Sequence, residues 1–145
     1  MQIEENNAKN ENDRKKSYLR GYRKHGKRIK RISAEIKEIR SMKMYPASVN
    51  SDGMPHGGGN SDLSSYAAEL QEKENELFQE GIEQVKTYKD ISYRIKQLED
   101  EDERDVLFYR YIKGMEWWEI ARDMDYSQSW IYELHGRALK NLKIS

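Results

Sequence analysis

The sequence predicts an all-α protein in which a long helical hairpin, antiparallel and coiled-coil-like, precedes a three-helix helix-turn-helix module. Three observations support this class. Apolar residues recur at alternating steps of four and three along two long stretches. Both prolines, at positions 46 and 55, fall between these stretches and interrupt neither. Residues 98–142 then show three short helical patterns separated by two tight connections.

Composition limits the size of the core and the class of protein. The 145 residues are 36% charged and 36% hydrophobic, which suits one small domain plus an extension. The absence of cysteine excludes disulfides, thiol nucleophiles and thiolate zinc sites. Because no apolar run approaches the roughly 20 residues of a membrane span, and no signal-like stretch follows the charged amino terminus, we expect a soluble, cytoplasmic protein without membrane contact.

The chain divides by composition into three parts. Residues 1–13 are polar and bury almost nothing, which predicts a disordered lead-in. Residues 14–98 form the predicted hairpin, with a loop at residues 45–62 that is rich in proline, glycine, serine and asparagine. The carboxylates of residues 99–105 favour a helix start and mark the beginning of a helix-turn-helix domain at residues 99–145.

Each hairpin helix has a predicted apolar seam. In the first helix the seam consists of Tyr18, Tyr22, His25, Ile29, Ile32, Ile36, Ile39 and Lys43. In the second helix, where the phase slips near Gly81, it consists of Leu63, Tyr66, Leu70, Leu77, Val85, Tyr88, Ile91, Ile95 and Leu98.

Charge is distributed unevenly between the predicted helices. Residues 1–44 contain 14 Lys+Arg against 6 Asp+Glu, whereas residues 45–145 contain 12 against 20. The second helix is acidic and could face the basic first helix across the hairpin.

The helix-turn-helix module has local signals at its connections. Gly114 is predicted to end its first helix in a left-handed conformation. A polar turn covers residues 125–127, and Ser127 or Ser129 caps the last helix. The spacing of Ile120 and Ala121 in the second helix, and of Ile131 and Leu134 in the third, predicts one small core that the two helices share.

The carboxy-terminal sequence resembles the fourth region of bacterial sigma factors, which binds the −35 promoter element. The likeness rests on the Arg-x-Val-Leu run at 104–107, the Arg-Tyr pair at 110–111, Glu-Ile-Ala at 119–121 and Ala-Leu at 138–139 before a basic tail. The whole chain is more similar to small phage and prophage regulators of Gram-positive hosts, of the ArpU and RinA type. The string at residues 52–66 also resembles a segment of such proteins.

This resemblance implies that the last helix enters the major groove of double-stranded DNA. The base-reading positions would then be occupied by Gln128, Ser129, Tyr132 and Glu133. Sigma factors usually carry arginine at the positions of Gln128 and Tyr132, so the usual −35 sequence is not carried over to this chain.

Phosphate contacts are predicted for the later part of the same helix. Arg137, Lys140 and Lys143 recur at steps of three and would share one face, with Ser127 at the helix start. The alternative is that these cations only complement the helix dipole.

A second basic segment, residues 14–31, contains ten cations and no acid. We interpret it either as a second nucleic-acid patch or as the solvated face of a helix that pairs with the acidic helix. The cations considered for the patch are Arg20, Arg23, Lys24, Lys27, Arg28, Lys30 and Arg31.

The tryptophans are candidates for partner contact. Trp117 and Trp118 point about 100° apart on a helix, so one should stay partly exposed and could anchor RNA polymerase. Burial under the hairpin is the alternative. Trp130 is expected to pack in the core rather than on sugar edges.

The sequence does not favour an enzyme, a metal site or a cofactor. His25, His56 and His135 lie in different segments, and residues 57–59 lack the Lys-Ser/Thr pair of a phosphate-binding loop. Three functions remain: a phage-type regulator that acts at promoters with RNA polymerase, a homodimeric coiled-coil repressor or activator independent of polymerase, and a protein-interaction adaptor.

Overall fold

The computed structural model describes the backbone of residues 1–43 and 59–144, and the side chains within these ranges except at positions 43 and 59–62. The described residues contain no β-strand, and the predicted all-α class, a helical hairpin followed by a helix-turn-helix module, is confirmed. In chain order the elements are α1 (Gln2–Lys43), α2 (Gly59–Lys96), α3 (Glu101–Leu107) with a π-helical continuation (Phe108–Ile112), α4 (Trp117–Met124) and α5 (Gln128–Asn141).

Two predicted boundaries differ from the structure. The disordered lead-in expected at residues 1–13 is not observed, because α1 already begins at Gln2. Glu4 and Glu5 lie in its first turn, where the helix dipole favours negative charge, and no proline precedes them. Helix α2 begins at Gly59, inside the loop predicted at residues 45–62. Residues 45–58 of that loop lie outside the described part of the chain.

The chain separates into two compact units. The terminal unit consists of residues 1–24 and 84–145, and the central unit consists of residues 25–83. The terminal unit is therefore larger than the predicted domain at residues 99–145, since it also includes the start of α1 and the end of α2.

The central unit is an antiparallel helix pair with charged contacts along an apolar seam. Ile32, Ile36 and Ile39 of α1 are buried, as the seam of the first helix predicted. Lys73 Nζ lies 2.6 Å from a carboxylate oxygen of Glu35. Other pairs join residue 25 to residue 80 and residue 40 to residue 74. Residue numbers therefore rise along one helix as they fall along the other, which shows that the two helices are antiparallel. The expected charge complementarity between a basic α1 and an acidic α2 is present here.

The seam predicted for α2 is wrong at its first residue and in its middle. Leu63 and Val85 are 55% and 53% exposed, whereas Gln84 and Thr87 are half-buried. The buried and half-buried positions 77, 80, 84, 87 and 91 follow one another at steps of three and four. The heptad pattern of α2 therefore continues past Gly81 without a slip. Polar side chains occupy part of the seam, so the positions of apolar residues alone do not identify the buried face of α2.

The terminal unit has two apolar clusters. The first lies between α1, α2, α3 and α5, and its buried members are Leu19, Ile91, Ile95, Leu98, Leu107, Tyr111, Ala138, Leu139 and Leu142. The second is the small core predicted for the helix-turn-helix module, in which Val106 joins Ile120, Ala121, Ile131 and Leu134. The module thus shares its first cluster with the hairpin helices and keeps its second cluster to itself.

Local sequence signals set the connections of the module. The Asp100 carboxylate accepts hydrogen bonds from the backbone N–H groups of Asp102 and Glu103 and caps α3. Gly114 has a φ of +69°, as its predicted role at a helix end requires. Asp125 has a φ of +59° in the turn before α5, and the hydroxyl of Ser127 accepts from the backbone N–H of residue 130 at 3.1 Å. Ser127, rather than Ser129, is therefore the cap of α5.

Candidate nucleic-acid interface

Helix α5 has one buried and one exposed face. Ile131, Leu134, Ala138 and Leu139 are buried by 98% or more and hold the helix against the rest of the terminal unit. The four side chains that sequence reasoning placed at base-reading positions are all exposed. Ser129 and Glu133 lie opposite the buried face, whereas Gln128, at the start of the helix, and Tyr132 lie at the edge of that face. The helix packing therefore presents these side chains together to solvent.

Tyr132 is positioned by aromatic contacts at one edge of this face. Its ring lies 5.3 Å from the ring of Trp117, edge to face, while half of the side chain remains exposed. Trp117 also packs edge to face on His135, at 4.8 Å, and lies under the guanidinium of Arg110, at 4.3 Å. These contacts restrict the Tyr132 side chain from the side of the core while its outer edge stays accessible.

The predicted phosphate contacts are only partly brought together. Arg137 and Lys140 are exposed on α5, and the Arg137 guanidinium lies 4.8 Å from the Trp130 ring centre and 3.9 Å from the Glu133 carboxylate. Lys143 does not continue their row, because α5 ends at Asn141 and the chain turns extended to bury Leu142. Ser127 is exposed, but its hydroxyl oxygen already caps α5.

The tryptophans separate as expected for neighbours on a helix. Trp118 is 56% exposed, with Arg122 above its ring at 5.3 Å, whereas Trp117 is half-buried. Trp130 packs against the second apolar cluster, which agrees with its predicted place in the core. Trp118 is thus the tryptophan of this pair that a partner could reach.

A buried histidine lies behind the exposed face of α5. His135 is 8% exposed, its Nε2 is hydrogen-bonded to the Tyr111 hydroxyl at 2.7 Å, and the two rings stack at 5.7 Å. Burial, aided by the positive charges of Lys16, Arg110 and Arg20, lowers the pKa of His135 to about 4. The ring is therefore neutral at physiological pH.

The basic segment at residues 14–31 divides into paired and unpaired cations. Arg28 forms an ion pair with Glu80 of α2, which fits the interpretation of a helix that pairs with the acidic helix, whereas Arg31 pairs with Glu35 of its own helix. Among the described residues, no carboxylate pairs with the remaining cations proposed for the patch, although all of them are exposed: Arg20, Arg23, Lys24, Lys27 and Lys30.

Sequence reasoning missed a lysine that joins α1 to α5. Lys15 is 8% exposed, and its ammonium donates to the carbonyl oxygens of Leu139 at 2.7 Å and Lys140 at 3.4 Å. These carbonyls belong to the last turn of α5 and have no later N–H group in the helix to donate a hydrogen bond to them. Lys15 lies in a run of ordinary cations, and nothing local distinguishes it from its neighbours.

The described residues contain neither a helix suited to span a membrane nor a cluster of side chains suited to hold a metal ion. No helix there is both long enough and apolar enough to cross a bilayer. Within residues 1–43 and 59–144, no group of three or more His, Asp or Glu side chains is arranged to hold a metal ion.

The fold and the exposed helix define an all-α protein with a helix-turn-helix module. The chain belongs to the family described as "Protein of unknown function (DUF1492)", whose profile matches residues 46–143. This match includes α2 and the whole module but not α1. Comparison with curated proteins and with solved structures finds no match.

Proposed function

We propose that the chain is a sequence-specific DNA-binding transcription regulator of phage or prophage type, similar to sigma region 4, that acts at promoters with RNA polymerase. The observation that carries this proposal is the exposed surface of α5, which presents Gln128, Ser129, Tyr132 and Glu133 while the apolar side chains of the helix are held in the core. An amide, a hydroxyl and a carboxylate in this arrangement can read base edges in a major groove.

The burial of the apolar seam favours this function over a coiled-coil dimer. Ile32, Ile36 and Ile39 are buried in the central unit, and Ile91 and Ile95 are buried in the terminal unit, within a single chain. These isoleucines are already covered and offer little apolar surface to a second copy. Polymerase contact is assigned to Trp118, because its large exposed ring lies outside both apolar clusters.

Replacing the two exposed cations of α5 tests DNA binding. In Arg137→Ala and Lys140→Ala, we expect weaker binding to DNA of any sequence, because each variant loses a phosphate contact. The slope of log affinity against log salt should flatten by about 0.9 for each substitution. Fluorescence anisotropy with a labelled DNA duplex, repeated over a range of salt concentrations, measures both quantities.

Trp118→Ala is the matched control in the same module. Its DNA affinity should equal that of the wild type, while less RNA polymerase should be recovered with the protein from host lysate. Unchanged affinity and slope in both cation variants would refute DNA binding through α5. Equal polymerase recovery with the wild type and Trp118→Ala would refute the assigned polymerase contact.

A further inference from the structure

Three cations of α1 form a row within the terminal unit. Lys16, Arg20 and Arg23 are spaced by four and three residues and therefore share one face of the helix. Arg20 and Arg23 are exposed and Lys16 is half-buried. None of the three has an ion-pair partner among the described residues. We refer to them as the α1 cation row.

The row is held beside α5 by buried contacts on the same helix. Lys15, next to Lys16, is hydrogen-bonded to carbonyl oxygens in the last turn of α5. Leu19, next to Arg20, has no exposed surface and lies in one cluster with Leu139 of α5. The contacts of Lys15 and Leu19 fix the position of the row relative to α5.

The row also lies within electrostatic reach of His135, which is three residues after Tyr132 on α5. The charges of Lys16 and Arg20 act on His135, whose ring packs against Trp117, and Trp117 in turn packs against Tyr132. At the far end of the row, the Arg23 guanidinium lies so close to Gly114 that an added Cβ would be 1.7 Å from Nη1. The row therefore extends from the edge of α5 to the end of the first helix of the module.

A group of cations that have no carboxylate partner is better suited to bind a polyanion than to stabilise the fold. Ion pairing accounts for Arg28 and Arg31 in the central unit, but it does not account for these three residues. A helix that enters the major groove brings neighbouring elements over the phosphates at the groove edge, where cations bind without reading sequence.

Resting on the proposed DNA binding by α5, we propose that the α1 cation row contacts phosphates flanking the groove that α5 enters. The amino-terminal helix is then part of a single DNA-binding surface and not a separate patch. Lys16 and Arg20 make the phosphate contacts at the Tyr132 edge of α5. Arg23 extends the same surface towards Gly114.

The test compares two double variants with equal loss of charge. Lys16→Gln/Arg20→Gln removes two cations of the row, and Lys9→Gln/Lys37→Gln removes two exposed α1 cations that lie outside the basic segment at residues 14–31. The probe is a short mixed-sequence DNA duplex, because phosphate contacts do not depend on the operator. We expect the first variant to bind on the order of tenfold more weakly, with a salt slope flatter by about 1.8, and the second to bind like the wild type.

The outcomes separate this proposal from the proposed function. If Lys16→Gln/Arg20→Gln binds like the wild type while Arg137→Ala weakens binding, the row is not a phosphate contact and DNA binding by α5 stands. If both double variants weaken binding equally, the effect comes from net charge and the proposal is wrong. If the wild type does not bind the duplex at low salt, the proposed function itself fails. Thermal unfolding of each variant confirms that the fold is intact.

Discussion

Replacing Leu19 with alanine is expected to destabilise the terminal unit by about 3 kcal/mol. Leu19 has no exposed surface and lies in the cluster that brings α1, α2, α3 and α5 together. The substitution removes buried methyl groups and leaves a cavity between four helices, which have little freedom to close it. For a chain of this length, the midpoint of thermal unfolding should fall by roughly 10 °C.

Ile3→Ala is the control on the same helix, because Ile3 is 76% exposed. Its free energy of unfolding should stay within about 0.5 kcal/mol of the wild-type value. Denaturant unfolding followed by circular dichroism measures both variants. Equal stability of Leu19→Ala and Ile3→Ala would show that α1 does not pack into the terminal unit.

The stability of the protein is expected to fall between pH 7 and pH 5 because His135 is buried and neutral. Its folded pKa of about 4 lies below the value of about 6.5 in an unfolded chain, so the unfolded state takes up the proton first. The stabilisation is fully present above the unfolded pKa and is lost as the pH falls towards the folded pKa. The expected loss between pH 7 and pH 5 is about 2 kcal/mol.

His135→Gln isolates this contribution. The variant should be less stable than the wild type at pH 7, but the difference between the two proteins should shrink by about 2 kcal/mol at pH 5. Taking the difference removes the contributions of carboxylates such as Asp105, whose pKa is raised by burial and by the nearby Glu101 and Asp102. A difference that is independent of pH would contradict a depressed His135 pKa.

The core of the helix-turn-helix module could be predicted because its signals are local. Ile120 and Ala121 lie within one turn of a helix, as do Ile131 and Leu134, and short connections bring the two pairs together. Gly114 ends a helix because glycine readily adopts a positive φ, and Ser127 caps α5 because a serine hydroxyl can accept a hydrogen bond from a helix N–H. Both roles depend on the residue type alone. The exposure of Ser129 and Glu133 then follows from the burial of the opposite face.

The assembly of the terminal unit could not be predicted in this way. The contact between Lys15 and the carbonyl of Leu139 joins residues 124 positions apart, and no periodicity links them. Leu19 lies outside the predicted seam, beside its member Tyr18, although Leu19 is the more buried of the two. The end of α5 before Lys143 depends on the burial of Leu142, which is a tertiary effect.

The central claim is that the exposed face of α5 reads DNA sequence. Selection of bound duplexes from a random-sequence pool tests it directly, with the wild type, Gln128→Ala and Trp118→Ala compared side by side. The wild type and Trp118→Ala should enrich the same motif. Gln128→Ala should lose a preference at one base position worth about 1–3 kcal/mol and retain the rest of the motif. No enrichment by the wild type, or an identical motif for Gln128→Ala, would contradict the claim.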